Sequence, residues 1–182
     1  MAFEDEPVVA TRDDLMRYLE ELGIAVSTVE HPPLHTVAES QELRGTIPGG
    51  HTKNLFVKDK KSRYFLVVAE ESREVDLKTL HRRIGAQGRL SFGNAEAMMA
   101  MLGVEPGSVT AFGVINDTEH RISVVLDEGL LAHDMVNCHP LTNRATTTIP
   151  TDGLMKFFRA TGHEPLVIGL EGETDQADGT SG

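Results

Sequence analysis

The sequence predicts a single α+β domain built on a mixed β-sheet. The chain has 182 residues, which is enough for one well-packed domain and short for two, and no internal repeat or linker divides it. Segments with helical periodicity are interleaved with short runs of β-branched and aromatic residues. We therefore place one domain at residues 1–170. The small and acidic segment 171–182 is expected to be disordered.

Composition excludes several classes of protein. No run of eighteen apolar residues is present, so no membrane span is predicted, and the acidic N-terminus lacks the basic and apolar regions of a signal peptide. The single cysteine can form neither an internal disulfide nor a two-cysteine zinc motif. These features predict a cytoplasmic protein.

The charge of the chain is unevenly distributed. The net charge is −11, which argues against DNA binding and against general binding of nucleic acid. Residues 44–90 nevertheless hold 11 of the 17 basic residues and 5 of the 28 acidic ones, a net of +6 on an otherwise acidic chain. A basic segment of this size is suited to binding the phosphates at one end of an RNA. An ordinary solvated face explains the same pattern, and charge alone leaves both explanations open.

In the N-terminal third, the spacing of apolar residues predicts a helix over 11–22, capped by Thr11 or Asp13 and ended by Gly23. A short strand follows at 24–29. The paired prolines at 32 and 33 exclude a helix there. A short helix at 39–43 and a loop at 45–50 are expected next.

In the middle of the chain, two apolar runs at 55–57 and 64–69 predict a hairpin whose charged tip, 58–63, is expected to be flexible. The pattern then predicts a helix at 75–84, a short strand at 89–92 and a helix at 95–102 capped by Asn94.

The C-terminal half predicts a loop at 106–113 and strands at 114–117 and 122–127, followed by a β-branched run at 145–149. Asp152 is expected to cap a last helix over 153–160, and a final strand is expected at 166–168.

Three loops carry residues suited to chemistry. Lys53 follows two glycines where a loop is expected to enter a strand, a position from which a lysine can contact phosphate or carboxylate. Gly107 leaves backbone N–H groups free to approach a carbonyl or oxyanion. His139, beside Pro140, can hydrogen-bond a ligand or transfer a proton near neutral pH. From these residues alone, a lone lysine such as Lys53 is more often a surface residue beside a turn, and His139 is as well explained as a structural histidine.

A resemblance to a known family rests on an ordered series of motifs. The series is Gly50-His51-Thr52-Lys53-Asn54-Leu55-Phe56, His31-Pro32-Pro33, Val75-Asp76-Leu77-Lys78, Arg89-Leu90-Ser91-Phe92, Pro106-Gly107-Ser108-Val109-Thr110, Phe112-Gly113, Asn116-Asp117, Asp127, His139-Pro140-Leu141-Thr142-Asn143 and Ala145-Thr146-Thr147. Over residues 11–170 the chain resembles the YbaK-like aminoacyl-tRNA editing domains, relatives of the insertion domain of bacterial prolyl-tRNA synthetase. It is most similar to the free-standing members that remove alanine from proline tRNA.

The resemblance implies a mainly antiparallel mixed sheet, or a partly closed barrel, flanked by helices. It implies hydrolysis of the aminoacyl ester of Ala-tRNA(Pro), with the tRNA(Pro) acceptor end as partner and prolyl-tRNA synthetase or an elongation factor as further candidates. Lys53, Gly107 and His139 would be catalytic. The residues implied to bind substrate are His31, Asn54, Ser108, Val109, Thr110, Asp127 and Asn143. No metal and no cofactor is predicted. Ala111 replaces a proline of the family's glycine loop, which leaves the rigidity of that loop open.

Other functions compete with this one. Cys138 with His139, or with His51 or His133, would make a cysteine hydrolase, although adjacent strand residues point to opposite faces. The chain could instead be a non-catalytic module that binds tRNA or a synthetase, or an editing deacylase for serine or cysteine.

Overall fold

The computed structural model describes residues 9–33 and 47–170. The short helix predicted at 39–43, the disordered tail predicted at 171–182 and most of the N-terminal leader lie outside the described residues.

The described chain forms one mixed sheet that is not closed into a barrel. Its strands are β1 (Ser27–Glu30), β2 (Gly50–Lys58), β3 (Tyr64–Glu70), β4 (Ser91–Phe92), β5 (Ile122–Asp127), β6 (Met135–Cys138), β7 (Ala145–Pro150) and β8 (Leu166–Ile168). Their order is β1-β7-β6-β2-β3-β5-β8, and β4 pairs with β2 outside this path. The pairs β1–β7, β6–β7, β2–β3 and β2–β4 are antiparallel, whereas β2–β6, β3–β5 and β5–β8 are parallel. The predicted α+β fold with a mixed sheet is confirmed.

Four α-helices pack around this sheet in the described residues: α1 (Arg12–Glu21), α2 (Leu77–Arg83), α3 (Ala95–Leu102) and α4 (Thr151–Ala160). Thr11 and Asp14 form a reciprocal capping box at the start of α1, and Asn94 caps α3. Gly103 ends α3 in the left-handed region, at φ 69°, which a residue without Cβ adopts without strain.

The start of α4 differs from the prediction. The helix begins at Thr151, so Asp152 lies inside its first turn and does not cap it. Tertiary contacts fix this start instead, because the Thr151 backbone N–H donates to the Asp134 carbonyl at 2.9 Å and its hydroxyl donates to the His133 carbonyl at 2.5 Å.

The apolar residues form two cores on opposite faces of the sheet. The main core contains Phe56, Phe112, Phe157 and Leu126 among its largest side chains and is covered by α1, α3 and α4. The second core lies under α2 and includes Val57, Phe65, Val67, Ala69, Leu80, Ile84, Leu90, Val125 and Leu170. Phe56 belongs to the main core and Val57 to the second, as the alternation of side chains along a strand requires.

The prediction of a strand at 114–117 is wrong. Residues Ala111–Asn116 form a 3₁₀ helix, which begins where the Thr110 hydroxyl accepts from the Phe112 N–H at 3.2 Å. Asn116 is held by tertiary contacts, since its side chain accepts from the Ala10 N–H and donates to the Leu102 carbonyl. The apolar side chains at 111–114 are buried against the main core and do not pair with a neighbouring strand.

The hairpin tip at 58–63 was expected to be flexible, but it is anchored by Asp59. Both oxygens of this buried carboxylate accept hydrogen bonds, from the backbone N–H groups of Lys61, Arg63 and Gln87 and from the Arg63 side chain. The Lys60 backbone N–H also donates to the Gln87 carbonyl at 3.0 Å. The tip is therefore tied to the loop that follows α2.

Candidate functional site

The edge of β2 is interrupted. On one side β3 pairs with it from Thr52 to Lys58, but on the other side β6 reaches only Gly50 and His51, and β4 pairs only with Val57 and Lys58. Residues 52–56 therefore have no strand partner on this side within the described chain. The Thr52 hydroxyl donates to the Asn137 carbonyl and the Phe56 carbonyl accepts from the Gly93 N–H, so the interruption is confined to Lys53–Leu55. We call this three-residue interruption the β2 notch.

Two loops meet beside the β2 notch. Because β6 runs parallel to β2, it ends next to Thr52, whose hydroxyl lies 2.7 Å from the Asn137 carbonyl oxygen. The chain then turns at His139, at the level of the notch. The Thr110 hydroxyl donates to the His139 carbonyl at 2.6 Å and so ties the Gly107 loop to this turn.

Gly107 and Asn143 are neighbours within this arrangement. A Cβ built on Gly107 would lie 3.6 Å from the Asn143 amide nitrogen, which is an ordinary contact, and the φ of Gly107 is not in the left-handed region. Neither packing nor backbone conformation requires glycine here. The missing side chain instead leaves an exposed backbone open to a ligand.

Thr110 stabilises the loop in which Ala111 replaces the family's proline. The Thr110 side chain is completely buried, donates to the His139 carbonyl and accepts from the Phe112 N–H. Val109 packs against the main core, and the Ser108 N–H donates to the Glu105 carbonyl at 2.8 Å. These contacts hold the loop without a proline.

One ring nitrogen of His139 has a hydrogen-bond partner among the described residues, and the other has none. Its Nδ1 lies 3.1 Å from the Ala145 carbonyl, an acceptor, so Nδ1 carries the hydrogen and Nε2 keeps a lone pair in the neutral ring. Burial is the largest influence and holds the pKa of His139 below its ordinary value, and nearby His31 acts in the same direction. The Ala145 hydrogen bond and Glu71 oppose this shift. Near neutral pH the ring is therefore an uncharged acceptor at Nε2.

His31 belongs to the same neighbourhood. Its backbone N–H donates to the Arg144 carbonyl at 2.9 Å, and its Nε2 lies 2.9 Å from the Thr146 hydroxyl oxygen. The structure thus brings His31, Gly107, Thr110, His139 and Asn143 together at one end of β7.

Lys53 does not lie at a junction between loop and strand, as expected from the sequence. β2 begins at Gly50, because Gly50 and His51 pair with β6, so Lys53 is the fourth residue of the strand. Cross-strand pairing places Lys53 on the face of Ala69 and Asn54 on the face of Val68. The side chains of Asn54 and Lys53 therefore project from the notch to opposite faces of the sheet.

Asn54 carries an unsatisfied acceptor. Its Oδ1 is buried and has no hydrogen-bond partner among the described residues. A buried carbonyl oxygen without a donor is costly, and a bound ligand or an ordered water would satisfy it.

Asp127 has a structural role. Its carboxylate is completely buried and accepts from the Glu70 and Gly129 backbone N–H groups at 3.0 Å and from Arg73 Nε at 3.3 Å. It lies at the end of β5, on the far side of β3 from the β2 notch. The described contacts do not bring Asp127 to the His139 turn.

Cys138 has the properties of a core residue. Burial raises the pKa of its thiol to about 12, although the Thr52 hydroxyl acts in the opposite direction, so the reactive thiolate does not form at neutral pH. His51 is engaged with the Ile47 carbonyl and His133 with Glu70. The cysteine-hydrolase alternative thus lacks a thiolate, and two of its three candidate bases, His51 and His133, are engaged elsewhere.

No group of three or more His, Cys, Asp or Glu side chains within residues 9–33 and 47–170 is arranged to hold a metal ion. None of the described helices is long and apolar enough to cross a membrane.

Comparison with known families adds to this geometry. The model of the aminoacyl-tRNA editing domain matches residues 31–157, which include the β2 notch and both loops. The chain belongs to the aminoacyl-tRNA editing domain family. The resemblance to YbaK-like editing domains predicted from the sequence motifs is confirmed.

Editing-domain relatives match along almost their whole length. The prolyl-tRNA synthetase associated domain-containing protein 1 of Danio rerio is 36% identical over 165 residues, covering 90% of this chain and 89% of the relative. The prolyl-tRNA editing protein ProX of Acetoanaerobium sticklandii is 36% identical over 153 residues, covering 84% and 93%.

Solved structures agree with the editing-domain fold. A crystal structure described as a candidate trans-editing enzyme for prolyl-tRNA synthetase superposes with a TM-score of 0.67 at 22% identity, covering 91% of this chain and 99% of that one. At this identity the likeness shows the fold alone.

Sequence motifs located the two loops of this editing domain but not the β2 notch. The notch depends on where β6 stops, and the β2–β6 contact joins residues more than 80 positions apart. The motif Ala145-Thr146-Thr147 marked the start of β7, but the sequence did not show that Thr146 holds the His31 ring, because the two residues lie 115 positions apart.

Proposed function

We propose that this chain is a trans-acting editing deacylase that hydrolyses the ester of Ala-tRNA(Pro). The observation that carries the proposal is the β2 notch of an editing-domain chain, which lies beside a neutral His139. Within residues 9–33 and 47–170 the Nε2 of this histidine has no hydrogen-bond partner, so it can accept a hydrogen bond from a ligand. A ligand that carries a hydrogen-bond donor next to its ester group fits this arrangement, because the donor can bind His139 Nε2 while the ester lies in the notch.

Each side of the notch has a role in the proposed reaction. The backbone N–H groups of the Gly107 loop stabilise the negative charge that develops on the ester carbonyl oxygen. Water adds to the carbonyl carbon, the bond to the ribose oxygen breaks, and that oxygen leaves with a proton. The ribose hydroxyl and the backbone position this water, and His139 Nε2 accepts a hydrogen bond from the substrate. Lys53 holds a phosphate of the terminal nucleotides.

Specificity for alanine follows from size. A synthetase site shaped for proline discriminates poorly against a smaller amino acid, because each missing methylene changes binding by only about 1–3 kcal/mol. A second and smaller site admits alanine and excludes proline by steric clash. Ile47, Leu55 and Val68 are candidates for the wall of this site. Val68 is the best placed of them, because it is buried and pairs with Asn54 across the β2–β3 ladder, on the same face.

The deciding experiment is a deacylation panel on proline tRNA carrying alanine, serine, cysteine or proline. We expect rapid hydrolysis of the alanyl ester and no hydrolysis of the prolyl ester above the uncatalysed rate. Equal hydrolysis of all four esters would overturn the size argument, and preference for the seryl or cysteinyl ester would reassign the substrate. Protection of the alanyl ester would instead identify a non-catalytic binding module.

The proposed partners follow from the proposed substrate. The tRNA(Pro) acceptor end is the principal one, and prolyl-tRNA synthetase or an elongation factor would deliver it in the cytoplasm.

A further inference from the structure

The motif Arg89-Leu90-Ser91-Phe92 ends in an aromatic ring that the proposed reaction does not use. Phe92 is 61% exposed, whereas Phe56 and Phe65 on the neighbouring strands are buried. Its backbone is fixed on both sides: Phe92 pairs with Val57, and the Gly93 N–H donates to the Phe56 carbonyl at 2.9 Å. The ring is therefore held in solvent by a rigid strand.

Phe92 and Lys53 share one face of the sheet. Phe92 lies directly opposite Val57 and so projects to the same face. Lys53 lies four residues before Val57 in β2 and projects to that face as well, about 13 Å away along the strand. Stacked nucleotides advance by about 3.4 Å each, so this span corresponds to about four nucleotides, comparable with the unpaired 3′ end of a tRNA.

The surroundings of Phe92 carry positive charge. Residues 58–63 and 77–93 hold eight Lys and Arg residues and one acidic residue, Asp59. Hydrogen bonds between Lys60 and Gln87 and between Gln87 and Asp59 join these two segments into one surface, which we call the basic face. The buried Asp59 carboxylate forms an ion pair with Arg63 at 3.1 Å and so offsets one of these cations. The two segments therefore carry a net charge of +7.

We propose that Phe92 is a stacking platform for an unpaired base near the 3′ end of the tRNA acceptor arm, while the basic face holds the adjoining phosphates. Aromatic rings within cationic grooves bind single-stranded nucleic acid in this way, and the stacking is tolerant of sequence. A polyanion is the complementary partner for a cationic surface on a chain of net charge −11. The proposal rests on the proposed function, because it takes the substrate end to lie in the β2 notch.

The test uses an unacylated RNA hairpin with the proline tRNA acceptor stem and its unpaired 3′ end, and measures affinity by fluorescence anisotropy. We expect Phe92→Ala to bind about 5- to 150-fold more weakly than the unmodified protein, which is the loss of one stacked base. Phe92→Tyr retains the ring and should bind within about twofold of the unmodified protein. Leu166→Ala removes another exposed apolar side chain, on the far edge strand β8, and should not change the affinity.

A double-mutant cycle identifies the base. Hairpins with an abasic site at each unpaired position in turn should bind the unmodified protein more weakly at one position, and that same hairpin should show no further loss with Phe92→Ala. Equal affinity of Phe92→Ala and the unmodified protein, or additive losses at every position, would overturn the proposal. The hairpin carries no amino acid, so this binding test is independent of deacylation. If the protein fails to deacylate Ala-tRNA(Pro), the proposed function is wrong but the binding result stands. If deacylation is normal and Phe92→Ala binds as tightly as the unmodified protein, only the stacking platform is wrong.

Discussion

The Ala145 carbonyl determines which nitrogen of His139 keeps a lone pair. Nδ1 donates to that carbonyl, so the lone pair of Nε2 is available only while the ring is neutral. Burial lowers the pKa of His139 below its ordinary 6.5, which keeps the ring neutral at pH 7. The local sequence at 138–140 identified the histidine. The tautomer depends on a carbonyl six residues away, across the turn between β6 and β7.

The first prediction concerns pH. As the pH falls below 6.5 and passes through the lowered pKa, His139 becomes protonated, Nε2 loses its lone pair, and the deacylation rate should fall. His139→Gln should be about tenfold slower at pH 7, because one hydrogen bond is lost, and should lack the acidic fall. Single-turnover rates from pH 4.5 to 8 measure both effects. An acidic limb retained in His139→Gln would assign the titration to another group.

Lys53 supports a second prediction. Lys53→Ala should slow deacylation at saturating enzyme, because this lysine is fixed within β2 and is the first residue of the notch. A positioned contact that strengthens in the transition state affects kcat, whereas diffuse charge attraction mainly affects KM. Lys61→Ala, at the exposed hairpin tip, removes the same charge and should leave the saturated rate unchanged. Similar saturated rates for the two variants would show that Lys53 has no specific role in the site.

At the scale of elements, the sequence predicted the helix ends that are set by residues close by in the chain. Thr11, Asn94 and Gly103 mark helix ends through contacts within a few residues, and the helices begin and end near these residues. β6 and the 3₁₀ helix at 111–116 lack such signals. Their conformations are decided by a parallel pairing with β2 and by burial against the main core. The anchored hairpin tip was missed for the same reason, since Gln87 lies 28 residues from Asp59.

The hairpin tip gives a prediction on stability. Burial alone would raise the pKa of Asp59, but hydrogen bonds from Gln87, Arg63 and Lys61 outweigh it and lower the pKa to about 2. This stabilisation is present above the ordinary pKa of 3.8 and is lost as the pH falls toward 2. Asp59→Ala should lower the free energy of unfolding by about 3 kcal/mol at pH 7 by leaving buried donors unpaired.

Urea unfolding of the unmodified protein and of Asp59→Ala at pH 7, 4 and 2.5 tests this. The difference between them should persist at pH 4 and narrow at pH 2.5. Glu119→Ala removes an exposed acid from the turn before β5 and should change stability by less than about 0.5 kcal/mol. A difference that is independent of pH would show that the tip is held by packing alone.

At the scale of the molecule, the separation of charge could be predicted from the sequence, but the surface it forms could not. Counting charges places a net of +6 within residues 44–90 and −17 on the rest. Only the contacts between residues 58–63 and the loop after α2 show that distant basic residues form one basic face beside the β2 notch. A chain that is acidic overall and carries this basic face should bind RNA through the basic face, because phosphate is attracted there and repelled by the net charge of the rest.

The last prediction follows from this orientation. Affinity for the acceptor hairpin should fall steeply with salt despite the net charge of −11, because phosphates held by the basic face release counterions on binding. Contacts with about four phosphates of a single strand would give a slope of about −3 in log affinity against log salt. Arg89→Ala, within the basic face, should reduce this slope by about 0.7 and weaken binding at low salt. Arg17→Ala removes the same charge from α1 and should leave the slope unchanged. A slope near zero, or equal changes for the two variants, would mean that total charge and not the basic face governs the encounter with RNA.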